Sequence, residues 1–176
     1  MISIDFSKVT ASKKIAVCDL KVGEFFLSDN KCLQDALLQY VGKYESSITG
    51  REMHQILAFY SHSEDEYPFS VLTESGETEI GGYLPVDPGI KVMLGIPLDG
   101  SGDLEKEIKI SPKDAKDSVV YLLEKEDKRD IIILGYNDNK NGSFISILDG
   151  KNFDIKCMNQ EVLTPVNLSF EVSPRR

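Results

Sequence analysis

The stretch DIIILGYNDNKNGSFISILDG, residues 130–150, decides the fold class. It begins with an isoleucine-rich run, Asp130–Tyr136, which is typical of a strand buried on both faces. Turn-forming residues 137–142 separate this run from a second apolar run, Phe144–Leu148. The following Asp149-Gly150 is a dipeptide common in β-hairpin turns. Short apolar strands joined by such turns predict antiparallel β-structure.

The same pattern continues on both sides of this stretch. Val119–Leu123 is a strand candidate upstream, and Pro165–Phe170 is another near the end of the sequence. Asp99-Gly-Ser-Gly102 is the clearest flexible break, and we place a boundary there. Residues 103–176 therefore read as a β-meander unit.

The first half combines strands with two predicted helices. Val22–Leu27, Phe69–Leu72 and Ile90–Leu94 read as strands. From Cys32 to Val41 the apolar residues recur at helical spacing, although residues 37–41 are also compatible with a strand. Thr49-Gly-Arg-Glu52 has the form of a capping box, and a second apolar stripe follows it.

These patterns predict an α+β chain that is mainly antiparallel β, with one or two small β-barrel-like or sandwich-like units. The first unit covers residues 1–98 and carries a two-helix insertion at about 31–62; the second covers 103–176, and the two can pack as a single domain. The predicted core residues are Phe25, Leu37, Ile56, Val71, Val92, Ile132, Leu134, Ile147 and Val166.

Strand and turn signals recur between the two halves, which suggests an internal duplication. Phe69–Gly76 leads to the strand at Ile90–Leu94, and Phe144–Gly150 leads to Pro165–Phe170 at a similar distance. Upstream, the strand at 22–27 would correspond to the strand at 119–123. On this alignment the helices belong to the first copy alone.

The charge balance restricts the partners of the protein. The chain carries 29 acidic and 20 basic side chains, a net charge of −9. Nucleic-acid phosphates and anionic membrane surfaces repel such a surface, so neither is an expected partner. An excess of acidic groups favours solubility. It also suits a surface that docks on a basic or nucleic-acid-binding protein partner or imitates nucleic acid.

Cysteine usage and the N-terminal residues predict a cytoplasmic protein. Cys18, Cys32 and Cys157 are odd in number and widely spaced, unlike a secreted disulfide framework, so all three are expected to be buried thiols. The first residues do not have the pattern of a signal peptide, and no apolar run has the roughly 20 residues of a membrane helix.

The sequence contains no recognisable catalytic motif, and no metal or cofactor is predicted. His54 and His62 are too far apart for a zinc pair, and a pairing of Cys32 with His54 is better explained by packing. Residues 137–142 resemble part of a calcium loop but fit a plain turn better. An enzyme, such as a hydrolase using carboxylates from distant segments, remains an alternative.

The acidic stretch after the second predicted helix is the candidate partner-binding site. Its residues are His62, Glu64, Asp65, Glu66 and Tyr67. Three carboxylates would steer a basic partner, and aromatic residues beside charges are frequent interface anchors. The alternative is that this segment only covers one end of the β-structure.

Asp19-Leu-Lys-Val-Gly-Glu-Phe-Phe26, followed by a strand, a glycine turn and a closing strand, resembles small β-barrel accessory proteins of tailed bacteriophages. The resemblance covers residues 17–95 and extends to 117–171, and the predicted helical insertion departs from the family pattern. It implies a viral accessory role. The leading hypothesis is therefore a non-enzymatic phage or mobile-element factor that binds and inhibits a host protein, with a structural subunit of a virion or other assembly as a further alternative.

Overall fold

The computed structural model describes residues 13–30, 33, 36–60, 69–94, 109–117, 119–125, 128–136, 142–154, 158 and 161–174. Within these residues the chain forms strands and two single turns of 3₁₀-helix, Val17–Asp19 and Pro112–Asp114, and none of them lies in an α-helix. The strands are β1 (Ile15–Ala16), β2 (Phe25–Leu27), β3 (Ala36–Glu45), β4 (Glu52–Tyr60), β5 (Phe69–Ser75), β6 (Glu79–Ile80), β7 (Leu84–Leu94), β8 (Val120–Lys125), β9 (Lys128–Tyr136), β10 (Gly142–Ser146), β11 (Asn152–Asp154) and β12 (Val162–Pro174).

Ten of these strands form one antiparallel sheet in the order β11-β10-β9-β8-β12-β7-β2-β3-β4-β5, and β1 pairs with β6 separately. We call β7, β2, β3, β4 and β5 wing A, and β12, β8, β9, β10 and β11 wing B. In each wing the last strand pairs with the first, and the others follow as a meander. The two last strands, β7 and β12, pair with each other from Val86↔Pro174 to Leu94↔Val166 and join the wings.

The sheet folds back on itself without closing into a barrel. Six strand spacings separate β10 from β3 along the sheet, which is roughly 29 Å if the sheet were flat. Nevertheless Gln39 Nε2, on β3, donates to the carbonyl of Ile147, directly after β10, at 2.7 Å. The wings therefore face each other and enclose a shared apolar layer, which we call the inner core. It contains Phe25, Leu37, Leu57, Phe59, Ile131, Ile133, Ile145 and Phe170 among others.

The outer face of each wing carries a further apolar cluster. On wing A, Phe26, Leu38 and Ile56 pack against Val17, directly after β1, and against Ile80 in β6. On wing B, Tyr121, Ile132 and Phe144 pack against Ile110 and Met158, among others. The central strands are thus covered on both faces, and their backbone hydrogen bonds run to neighbouring strands.

The predicted α+β class and the two-helix insertion at about 31–62 are wrong. The described part of this segment is the β3–β4 hairpin, paired from Ala36↔Tyr60 to Glu45↔Glu52. Its apolar run is continuous because one set of side chains enters the inner core and the other enters the outer cluster of wing A. A strand buried on both faces and a helix face can show the same apolar spacing over ten residues.

The predicted capping box is also wrong, because Thr49 and Gly50 lie in the hairpin turn. Ser46 N donates to the carbonyl of Arg51, and Gly50 N donates to that of Ser46. By contrast, Ser111 caps the turn at Pro112–Asp114 by accepting from Lys113 N, as expected for serine followed by proline.

Seven predicted core residues are confirmed as buried: Phe25, Leu37, Ile56, Ile132, Leu134, Ile147 and Val166. Val71 is partly buried against the inner core. Val92 is 39% exposed, so its prediction is wrong. Val92 lies near the end of β7, where the strand pairs with β12 alone. The prediction of three buried thiols is wrong for Cys18, which is exposed; Cys32 and Cys157 lie outside the described residues.

The strand order corrects the alignment of the two halves. β2 and β8 hold the same place in their wings, as do β7 and β12. Phe69–Gly76 contains β5, at the edge of wing A, whereas Phe144–Gly150 begins within β10, which is one strand inside the edge of wing B. These two segments are therefore not equivalent, and β3 and β4 have counterparts in β9 and β10. The boundary at 99–102 lies outside the described residues, and the division at that point stays a prediction.

Candidate interaction surface

The predicted partner-binding residues His62, Glu64, Asp65, Glu66 and Tyr67 lie outside the described residues. The strands on either side of them are described. β4 ends at Tyr60, and β5 begins at Phe69 as its antiparallel neighbour. The acidic segment therefore connects the last two strands of wing A, which places its two attachment points at one end of the sheet.

β5 is an edge strand that is paired on one side. It pairs with β4 from Met53↔Ser75 to Phe59↔Phe69 without a register shift, and no other described strand pairs with it. The opposite edge of the sheet is β11, which has three residues. Natural proteins commonly shorten edge strands or place proline and lysine in them to prevent unwanted pairing. β11 follows this rule by its length, whereas the seven residues of β5 contain neither proline nor lysine.

Packing holds β5 firmly against wing A. Phe69 and Val71 contact the inner core, and Leu72 contacts the outer cluster on the other face. Ser70 Oγ lies 3.0 Å from the hydroxyl of Tyr60, within hydrogen-bond distance. Side chains on both faces thus fix the position of the strand, and its unpaired backbone edge is correspondingly preorganised.

Acidic residues occur on both sides of the centre of β5 in the sequence. Glu64, Asp65 and Glu66 precede it in the sequence, and Glu74 and Glu77 lie at its other end. Glu74 Oε2 accepts a hydrogen bond from Thr78 Oγ1 at 3.3 Å. The nearby Glu79 pairs with Lys14 at 3.3 Å, with both side chains largely exposed, so this pair is weak. The sequence around the strand is therefore predominantly acidic.

A second polar group lies on wing A, between β3 and β4. His54 is 3% exposed; its Nδ1 is 2.8 Å from the hydroxyl of Tyr40, and its Nε2 is 3.6 Å from Glu52 Oε1. Burial, with Glu52 and Cys18 nearby, raises the pKa of Tyr40. A hydrogen bond from Lys43 lowers the pKa of Glu52. His54 is thus a buried side chain with partners on both ring nitrogens, which is the packing role expected from the sequence.

A third polar group lies at the turn after β10. Asp130 Oδ1 accepts from Ser146 Oγ at 2.7 Å and from the Ile131 amide at 2.8 Å. Burial raises the pKa of Asp130 although both hydrogen bonds lower it. Ser146 Oγ in turn accepts from the amides of Leu148 and Asp149. These contacts fix the turn, and their donors belong to the turn or to Ile131 beside Asp130.

The sequence identified the acidic segment but did not identify the edge beside it. The sequence predicts a strand at Phe69–Leu72, which includes Val71 and ends one residue before Thr73, and no local pattern distinguishes an edge strand from an inner one. The missing proline and lysine are visible in the sequence, but they become informative only once the sheet order places β5 at the edge.

The described residues contain no group of three or more His, Cys, Asp or Glu side chains placed to hold a metal ion. They also contain no helix with the length and apolar character needed to cross a bilayer. Comparison with protein-family models, characterised protein sequences and solved structures gave no match for this chain.

Proposed function

We propose that the protein acts by binding another protein. The proposed contact surface is formed by residues 61–79, which include the acidic segment and β5 at the edge of wing A. The observation that supports this proposal is the combination of a one-sided edge strand with acidic residues at both of its ends. Unpaired strand edges are common protein-docking sites, and unbalanced charge beside them selects the partner by sign.

The expected partner is basic, for example a protein that itself binds nucleic acid. Opposite charges accelerate association, and salt screens the effect over roughly 8 Å at physiological ionic strength. The resemblance to phage accessory proteins makes a host protein the expected target, with inhibition as the consequence when the bound surface is the one the host protein uses to bind nucleic acid.

The proposal is tested by affinity purification from the native host, followed by kinetics with the captured partner. Replacing Glu64, Asp65 and Glu66 together with lysine should lower the association rate by about tenfold or more at low salt. The matched control replaces Asp114, Asp117 and Asp154 with lysine. These are exposed acidic residues before β8 and in β11, and the change in net charge is the same.

Circular dichroism of both triple variants checks that each retains the fold. A smaller effect in the control than in the first variant supports contact at residues 61–79. Equal effects would mean that net charge alone steers the partner. An association rate that is insensitive to salt and to both variants would show that this surface is not the contact.

A further inference from the structure

We propose that the partner binds by strand addition: an extended segment carrying lysine or arginine at its ends pairs antiparallel with the outer edge of β5 and lengthens the ten-stranded sheet by one strand. This inference rests on the proposed function and specifies its chemistry. It is carried by the direction of the β5 backbone groups, which follows from hydrogen bonds elsewhere in wing A.

The backbone direction is fixed first at Tyr40 on β3. Tyr40 N donates to the carbonyl of Glu24 at 3.0 Å, and its own carbonyl accepts from Gly23 N at 2.7 Å. The backbone of Tyr40 therefore faces the side of β2. Successive residues of a strand direct their N–H and C=O groups to opposite sides, so Gln39 and Leu37 face β4.

The same alternation determines the direction of the backbone N–H and C=O groups on β5. Gln39 pairs with Leu57 and Leu37 with Phe59, so these two β4 residues face β3. The β4 residues between and beside them, Ala58 and Ile56, must then face β5, where they pair with Ser70 and Leu72. Ser70 and Leu72 use their backbone groups for β4. The backbone groups of the alternate residues, Val71 and Thr73, consequently point away from the sheet.

The other end of the hairpin gives the same answer independently. Ser46 N donates to the carbonyl of Arg51 at 2.9 Å, so Arg51 faces β3. Alternation from Arg51 makes Gln55 face β3 and Ile56 face β5, although a bulge interrupts the ladder between Tyr40 and Gly42. By the same alternation, the backbone groups of Ser75 face away from β4. Its carbonyl accepts from Thr78 N at 3.0 Å instead of from β4.

Exposure is consistent with an accessible edge at Val71 and Thr73. Thr73 is exposed and Val71 is half-buried, with its side chain against the inner core. Beyond Val86, β7 is also paired on one side, but there it carries Pro88 and Lys91, both of which oppose strand addition. β12 is likewise paired only with β7 from Asn167 to Ser173, so the acidic sequence on either side of β5, together with its one-sided pairing, favours β5 as the edge for a basic strand.

The charges argue against a second copy of this chain as the added strand. A second copy of this chain carries the same net charge of −9 and the same acidic sequence on either side of β5. Like charges placed opposite each other in a sheet are destabilising. An extended segment with basic residues at both ends carries charge opposite to this acidic sequence and would be selected over self-pairing.

Synthetic peptides test strand addition on the unmodified protein. The first probe is a peptide of seven alternating threonine and valine residues, flanked by two lysines at each end. The second probe has glutamates in place of the four lysines. We expect the lysine peptide to bind and to protect the amides of Val71 and Thr73 from hydrogen exchange, and the glutamate peptide to bind at least about tenfold more weakly.

N-methylation of the lysine peptide then distinguishes strand addition from attraction between charges. One set of alternate peptide amides faces β5, and the other set faces solvent. Methylating the first set should weaken binding by about tenfold or more, and methylating the second should have little effect. Equal effects of the two sets, or no binding of the lysine peptide at millimolar concentration, would overturn the proposal.

Variants of β5 give a second test. Thr73→Pro removes an outward N–H and leaves the ladder with β4 intact, so we expect it to fold and to lose lysine-peptide binding by about tenfold. Thr73→Ala keeps the N–H and should bind normally. Leu72→Pro removes an inward N–H and should instead lower the melting temperature. Unchanged peptide binding by a folded Thr73→Pro protein would contradict strand addition.

The host partner separates failure of this inference from failure of the proposed function. If Thr73→Pro retains the partner and the triple lysine variant at 64–66 loses it, strand addition is wrong and acidic contact at this surface stands. If both variants retain the partner with wild-type rates, both proposals are wrong. Loss of partner binding in both variants supports both proposals.

Discussion

Wings A and B share one order of strand pairing but differ at their edges. In each wing the closing strand pairs with the first strand, and a meander leads outwards. Wing A ends in a seven-residue strand bracketed by acidic residues, and wing B ends in the three residues of β11. The connectivity sets where an edge occurs, and the residues at that edge determine whether it can accept another strand.

The coverings of the two wings differ as well. The outer face of wing A packs against residues in and next to the β1–β6 pair. That of wing B packs against residues around the 3₁₀ turn at Pro112–Asp114 and against Met158. The inner core belongs to both wings, because residues from each contribute to the same cluster. We therefore expect the wings to unfold together, and the following variants test this from the largest expected effect to the smallest.

Phe59→Ala should cost about 3–5 kcal/mol of unfolding free energy, the typical loss for a buried phenylalanine. Phe59 is fully buried on β4, and its ring centroid lies 5.0 Å from that of Phe170 on β12. Urea unfolding followed by circular dichroism and by tyrosine fluorescence should give coincident transitions. A separate early transition of one wing would show that the shared core does not couple them. Phe59→Leu is the control and should lose less.

Ile132→Ala should cost about 2–5 kcal/mol, because Ile132 is fully buried in the outer cluster of wing B. Ile132→Val removes one methylene from the same place and should cost about 0.5–1.5 kcal/mol. If wing B unfolds only with wing A, both variants should shift a single transition. An unchanged melting curve for Ile132→Ala would refute the packing of this outer face.

Gly150→Ala should be more destabilising than Gly50→Ala. Both glycines have positive φ, 73° and 63°, and both amides donate to the carbonyl of a serine four residues earlier. An added Cβ at Gly150 would lie 2.8 Å from the backbone nitrogen of Gly23, two residues before β2 of wing A, whereas one at Gly50 meets nothing within 4 Å. We expect about 1 kcal/mol for Gly50→Ala from conformation alone, and at least about 1 kcal/mol more for Gly150→Ala.

Equal losses in urea titrations of these two variants would show that the wings are not in close contact at Gly23 and Gly150. The comparison is controlled because the two turns have the same pattern of backbone hydrogen bonds and differ in the residues that pack against them.

Asp130→Asn should have the smallest effect, and it should depend on pH. Burial raises the folded-state pKa of Asp130 above its unfolded value. The folded protein therefore binds this proton more tightly, and the contribution of Asp130 to stability falls as pH rises from about 4 through the folded-state pKa. The wild-type unfolding free energy minus that of Asp130→Asn should decrease over this range and then level off. A difference that increases with pH would contradict the assignment.

Much of the β-structure follows from local sequence. The run at 131–134 and the hairpin-type dipeptide at Asp149-Gly150 both lie where such patterns predict, in a strand and a turn. The prediction of two helices in place of the β3–β4 hairpin was wrong because the local sequence signals there are ambiguous. Five residues of mixed polarity at 37–41 satisfy a helical stripe and also a strand with apolar cover on both faces, and only the neighbours decide between them.

The candidate site divides in the same way. The acidic residues at 64–66 and the strand at Phe69 are visible in the sequence. The outward direction of the Val71 and Thr73 backbone is not, because it depends on the register of β3, β4 and β5 together. One residue of slippage in any of these ladders would reverse which amides face outwards.

The sequence by itself determined the acidic surface, the apolar runs and the turns, because these depend on side-chain charge, side-chain polarity and local backbone preference. The tertiary structure alone decided that residues 36–60 form a hairpin, that two wings share one core, and that β5 is an edge. These outcomes depend on which strands pair across long sequence separations, and that choice is made by the burial of both sheet faces together, which no short segment encodes.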